Sequence, residues 1–135
     1  MKTIRQISKY MTVHPHTIGM EQSLSRAHKM MREYNIRHLP VLDGGRLVGI
    51  ISDRDIKSVM TFKDVNPETI QVREAVTEDP FKVKPESQLD DVCAEMGAHK
   101  YGSALVVDNG KLVGIFTWVD ALNALTDLLG TRLKK

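Results

Sequence analysis

Residues 41–55, VLDGGRLVGIISDRD, occur twice: residues 106–120 read VVDNGKLVGIFTWVD. At a constant offset of 65 and without a gap, eight of the fifteen positions are identical: Val41, Asp43, Gly45, Leu47, Val48, Gly49, Ile50 and Asp55. Arg46 faces Lys111, Ile51 faces Phe116 and Ser52 faces Thr117. A repeat of fixed period constrains the fold more than any local propensity, because each copy is one supersecondary unit that needs neighbours to bury its apolar face.

Each copy has the same local reading. Apolar residues 39–42 and 104–107 end at Asp43-Gly44-Gly45 and Asp108-Asn109-Gly110, which supply the positive φ angles of a tight hairpin. Second strands follow at 47–51 and 112–116. They run into Ser52-x-x-Asp55 and Thr117-x-x-Asp120, a hydroxyl followed three residues later by a carboxylate at the head of a helical pattern.

The offset extends upstream. Ile7, Tyr10 and Met11 mark a short helical turn matched by Val72, Ala75 and Val76; Thr12 and Pro15 match Thr77 and Pro80. Short extended pieces at 16–18 and 81–83 follow the prolines. Leu24, Ala27, Met30, Met31 and Tyr34 recur at helical spacing, as do Leu89, Val92, Cys93 and Met96, with Ser87 and Asp90 as a capping box for the second helix. The expected unit is helical turn, extended strand, helix, strand, strand, helix, used twice: repeat 1 at 7–60, a connector at 61–71 containing Asn66-Pro67, and repeat 2 at 72–129. Leu122, Leu125, Leu128 and Leu129 make the closing helix of repeat 2 the longer one, with Gly130 as its stop.

At 135 residues, each half alone would bury only about 60% of its unfolded surface, so two halves sharing one core are expected. A net charge of +2 is too small to argue for nucleic acid, which is not expected as a partner, and the basic tail Arg132, Lys134, Lys135 reads as a solvated end. No apolar run reaches membrane-span length and the N-terminus lacks a signal-peptide core, which predicts a cytoplasmic protein without membrane contact. The lone Cys93 cannot form an internal disulfide and reads as a core thiol. His14 and His16 have no third metal ligand nearby in sequence, so no metal site is expected. His28 and His99 read as solvated or edge-of-core, and Trp118 suits either an interface or a stacked base. No nucleophile elbow, P-loop or zinc motif occurs, and Asp53, Asp55 and Asp120 have no paired base or nucleophile in view, so a non-catalytic role is expected.

Taken alone, each Ser/Thr-x-x-Asp reads as a capping box worth about 0.5–2 kcal/mol. Their recurrence at the same point of a duplicated fold opens a second reading: helix N-termini attract phosphate, and a carboxylate can accept both hydroxyls of a ribose. The pattern over residues 7–129 resembles the tandem cystathionine-β-synthase-type (CBS) domain pair, or Bateman module. The resemblance rests on Leu39-Pro40-Val41-Leu42-Asp43, on Gly49-Ile50-Ile51-Ser52-Asp53-Arg54-Asp55, on Gly114-Ile115-Phe116-Thr117-Trp118-Val119-Asp120, and on Thr12 and Thr77 after their helical turns.

The resemblance implies an α/β (α+β) fold of two pseudo-twofold-related repeats, each a short sheet packed with two helices. It implies two clefts that bind adenosyl ligands (AMP, ADP, ATP or S-adenosylmethionine) as regulatory ligands, with no obligatory cofactor. Asp55 and Asp120 match the ribose-binding positions, Ser52 and Thr117 the hydroxyls near ribose or phosphate, and Ile50 and Ile115 the base-lining residues. Thr17 is expected near the Asp120 cleft, and Phe81 and Lys82 near the Asp55 cleft. Arg37 and His38 match phosphate-facing positions; repeat 2 has Gly102 and Ser103 there, with Ser103 kept as a candidate contact. Because Val119 replaces Arg54, the Asp55 cleft is expected to bind phosphate better. A homodimer associating through its helices, and an effector protein to receive the signal, are also implied. The rival expectation is a structural or oligomerisation module with empty clefts.

Overall fold

In the computed structural model, which describes residues 5–133, the repeat reappears element for element. A 3-10 turn at Ile7–Lys9 leads to β1 (Thr12–Val13), β2 (Ile18–Gly19), α1 (Leu24–Tyr34), β3 (His38–Asp43), β4 (Arg46–Ser52) and α2 (Asp53–Met60). The second pass is a 3-10 turn at Val72–Glu74, then β5 (Thr77–Glu78), β6 (Lys82–Val83), α3 (Leu89–His99), β7 (Ser103–Asp108), β8 (Lys111–Thr117) and α4 (Trp118–Leu133). Lys134, Lys135 and the side chain of Arg132 lie outside the described residues.

Both hairpins use the turn that their residues predict. Gly44 and Gly45 have φ of 57° and 84°, Asn109 and Gly110 of 51° and 77°, so both loop residues are left-handed, as a two-residue hairpin with matching twist requires. Each hairpin also carries a register shift at the same point, between Val41 and Leu42 and between Val106 and Val107.

Strand pairing departs from the order of the repeats. One four-stranded sheet runs β2-β3-β4-β5 and the other β1-β8-β7-β6. The threonine strand that opens each repeat therefore pairs with the closing strand of the other: Thr12 lies opposite Ile115, and Thr77 opposite Ile50. The two compact units are accordingly 16–80, and 1–15 together with 81–135.

Glycine is needed where these strands meet. A Cβ at Gly49 would press on the Thr77 carbonyl and stand 2.7 Å from Val76 Cγ2; one at Gly114 would stand 2.6 Å from the Met11 sulfur and 3.0 Å from the Thr12 carbonyl oxygen.

Where chain length led to the expectation of one shared core, the described residues show two apolar clusters, one in each unit. Leu24, Ala27, Leu39, Val41, Ile51 and Val72 anchor one apolar cluster; Ile7, Val92, Met96, Ala104, Val106 and Phe116 anchor the other. The exchanged segments make this possible, because Val72 and Ile7, both fully buried, each complete the core of the repeat from which they are remote in sequence.

Three local expectations are corrected. Ser87 and Asp90 form no capping box: the N-cap of α3 is Gln88, and the Ser87 hydroxyl accepts instead from the Lys84 N–H at 3.0 Å. Gly130 does not stop α4, which continues to Leu133; a glycine inside a helix costs about 1 kcal/mol relative to alanine, too little to end it. Tyr34 leaves the α1 core stripe and stacks on His16 with ring centroids 3.6 Å apart. Cys93 is half-buried at the edge of its core, where burial and Asp90 push the thiol pKa up.

The connector is not a passive link. The Leu24 and Ser25 amides at the head of α1 donate to the carbonyls of Ile70 and Pro67, both at 2.9 Å. Glu68 accepts from the Ser25 hydroxyl at 2.7 Å. The connector thus supplies acceptors that the first turn of a helix cannot find within itself.

Candidate functional site

Each unit holds one strand-to-helix junction with a hydroxyl at the N-cap and a carboxylate at the third helical position. At the β4–α2 junction the box is reciprocal: the Asp55 N–H donates to Ser52 Oγ at 3.1 Å, and the Ser52 N–H donates to Asp55 Oδ2 at 2.8 Å. At the β8–α4 junction the Thr117 N–H donates to Asp120 Oδ2 at 2.9 Å, while the returning bond from the Asp120 N–H to Thr117 Oγ1 is longer, 3.4 Å. Both carboxylates are half-buried.

Around Asp55 the structure gathers Ser52, His38 and Arg37. His38 lies opposite Ser52 on the neighbouring strand. Burial pushes its imidazole below the ordinary value; the Asp55 carboxylate opposes that shift and the Arg37 guanidinium adds to it. Arg37 reaches Asp53 at 3.6 Å, and Lys57, one helical turn on, reaches the same carboxylate oxygen at 3.0 Å. Arg37 and Lys57 are largely solvated, so these pairs hold little stability. Arg54 is exposed, Ile50 is half-buried opposite Pro40, and Thr17 is half-buried just ahead of β2.

Around Asp120 lie Thr117, Ser103 and Ile115. Ser103 stands opposite Thr117 as His38 stands opposite Ser52, so repeat 2 has a small hydroxyl where repeat 1 has an imidazole. Ile115 is buried opposite Leu105. The Phe81 carbonyl accepts from the Leu105 N–H at 2.8 Å, and its ring stacks on Tyr101 at 5.0 Å. Lys82 is exposed on β6, and Trp118 and Val119 are both exposed at the start of α4. The pairings that the resemblance implies, Thr17 with Asp120 and Phe81 and Lys82 with Asp55, draw their members from different compact units.

One contact has no counterpart among the sequence candidates. The Thr12 hydroxyl donates to Asp120, 3.2 Å from Oδ1 and 3.4 Å from Oδ2. Its position after the helical turn was visible in the repeat, but its place beside Asp120 depends on the pairing of β1 with β8 across more than a hundred residues. Among the described residues, no group of three or more His, Cys, Asp or Glu side chains could hold a metal ion, and no helix is long and apolar enough to cross a membrane.

This arrangement has solved relatives. The CBS domain pair of MJ0100, crystallised with 5′-methylthioadenosine and S-adenosyl-L-methionine, is 26% identical with a TM-score of 0.81, over 96% of this chain and 99% of that one. CBSX2 in complex with AMP is 25% identical with a TM-score of 0.76, over 91% and 97%. Inosine-5′-monophosphate dehydrogenase of Korarchaeum cryptofilum is 29% identical over 132 residues, which are 97% of this chain and 26% of that protein, so the chain spans about a quarter of that relative's length. The CBS domain model itself matches residues 4–61 and again 72–127. With the duplicated strand-to-helix junctions and two four-stranded sheets, that double match shows that the chain belongs to the CBS-domain family, as a tandem pair.

Proposed function

We propose that this chain is a non-catalytic regulatory module that binds adenosyl ligands, AMP, ADP, ATP or S-adenosylmethionine, at its two strand-to-helix junctions. The carrying observation is the half-buried carboxylate placed identically at both junctions, beside a hydroxyl and at the head of a helix. A carboxylate there can accept the hydroxyls of a ribose, and helix N-termini favour negative charge nearby. The ligands held by MJ0100 and CBSX2 support the adenosyl class. Ligand transmits a signal only through different affinity for two conformations of the protein.

A second reading, a structural module without ligand, draws on the same geometry, since the capping boxes already give both carboxylates a role. Thermal melts against AMP, ADP, ATP, S-adenosylmethionine and NAD separate the two. A ligand at a hundred times its dissociation constant should stabilise the fold by about 2.7 kcal/mol. No shift with any of the five would leave the structural reading standing.

The regulatory reading includes a homodimer through α4. Trp118, Val119, Leu122, Leu125 and Leu129 are between 48% and 62% exposed, and 118, 122, 125 and 129 follow the four-three-four spacing of a helix–helix seam. The positions of α2 that correspond to Trp118, Val119 and Leu122 are Asp53, Arg54 and Lys57, so α4 finds its apolar match in a second α4. Light scattering should report twice the 15.2 kDa chain mass, falling to one chain in Leu122→Asp/Leu125→Asp. A wild-type monomer at tens of micromolar would remove the dimer.

A further inference from the structure

The two carboxylates differ in how much of their accepting capacity the protein itself has taken. An ionised carboxylate offers about four lone-pair sites on two oxygens. Among the described residues, Asp55 accepts only the Ser52 N–H, on Oδ2; no hydrogen bond reaches its Oδ1, although the half-buried His38 imidazole feels its charge. Asp120 accepts the Thr117 N–H on Oδ2, has the Thr117 hydroxyl 3.3 Å from the same oxygen, and has the Thr12 hydroxyl within reach of both oxygens. Thr77 has the same register on β4 that Thr12 has on β8, yet only Thr12 makes this bond.

A vicinal diol needs two accepting positions facing outward. At Asp55 no protein hydrogen bond among the described residues occupies Oδ1. At Asp120 the exposed Thr12 hydroxyl holds one of them, while the other lone pair of Oδ1 remains for a single incoming hydroxyl. We propose that Thr12 stands in for one ribose hydroxyl, so that the β8–α4 junction holds a nucleoside through one sugar hydroxyl and the β4–α2 junction holds the full diol. Thr12 is thus a specificity residue: the Asp120 junction tolerates deoxyribose, and the Asp55 junction rejects it. This rests on the ribose-binding reading of the two carboxylates.

The test uses the full chain with Asp55→Asn, which silences one junction while keeping a side-chain acceptor for its cap, and titrates adenosine and 2′-deoxyadenosine by calorimetry. In that background the two nucleosides should bind within about threefold of each other. Adding Thr12→Val, close in shape but without a hydroxyl, should open a gap of at least about tenfold in favour of adenosine, since a hydrogen bond to a charged group is then made by only one of them. Thr12→Ser should behave like threonine. A tenfold preference already present before Thr12 is changed, or a ratio that Thr12→Val leaves unmoved, overturns the role of Thr12 alone. If no nucleoside binding remains that a further Asp120→Asn can abolish, the ribose reading of Asp120 falls and the role of Thr12 falls with it.

Discussion

Asp55→Ala is expected to weaken adenosyl-ligand binding at the β4–α2 junction at least about tenfold, because it removes charge-assisted hydrogen bonds worth roughly 1.5–3 kcal/mol each. The same change deletes the acceptor of the Ser52 N–H and should destabilise the fold by about 0.5–2 kcal/mol. Two losses from one substitution would be ambiguous, and Asp55→Asn separates them. Asparagine can still accept from Ser52, so the cap survives in part, but it carries no charge for the sugar hydroxyls. Calorimetry and urea melts on both variants should therefore show affinity lost in both and stability lost mainly in alanine. A ligand affinity that stays at wild type in both variants would reduce Asp55 to a helix cap.

Gly49→Ala is expected to cost about 1–3 kcal/mol, toward the upper end for overpacking. The new methyl would press on the Thr77 carbonyl, which is backbone held in the β4–β5 pair and cannot rotate away, and on Val76 Cγ2. Gly114→Ala should be milder, because the nearest atom is the sulfur of Met11, part of a flexible side chain, although the Thr12 carbonyl also stands close. Gly97→Ala is the control. It sits in α3 with nothing within 4 Å of its would-be methyl, and should gain about 0.5–1 kcal/mol from reduced chain entropy. Urea unfolding with unchanged slope measures all three, and a Gly49→Ala midpoint equal to that of wild type would refute the close approach of β5.

Features that depend on neighbours along the chain were legible in the residues. The hairpins follow from Asp-Gly-Gly and Asp-Asn-Gly between apolar runs. The capping boxes follow from a hydroxyl three residues before a carboxylate. Helices α1 and α3 follow from stripes at helical spacing, and the pairing of Ser52 with Asp55 and Thr117 with Asp120 from the repeat. Local rules were weaker where two local partners competed, as for Ser87, whose hydroxyl serves the Lys84 amide instead of α3. They were weaker again at Gly130, where the modest helix penalty of one glycine does not decide a terminus.

Which repeat each opening segment completes depends on long-range packing. Ile7 and Val72 are equally apolar, and nothing near them in sequence says that Ile7 belongs with Phe116 and Val72 with Leu39. That choice set the β1–β8 and β4–β5 pairs, made Gly49 and Gly114 necessary, and put Thr12 on Asp120 but left Asp55 without an equivalent bond. A two-residue strand has no pattern long enough to name its partner. Its pairing is selected by the burial of a side chain several residues away, and that information exists only once the chain has folded.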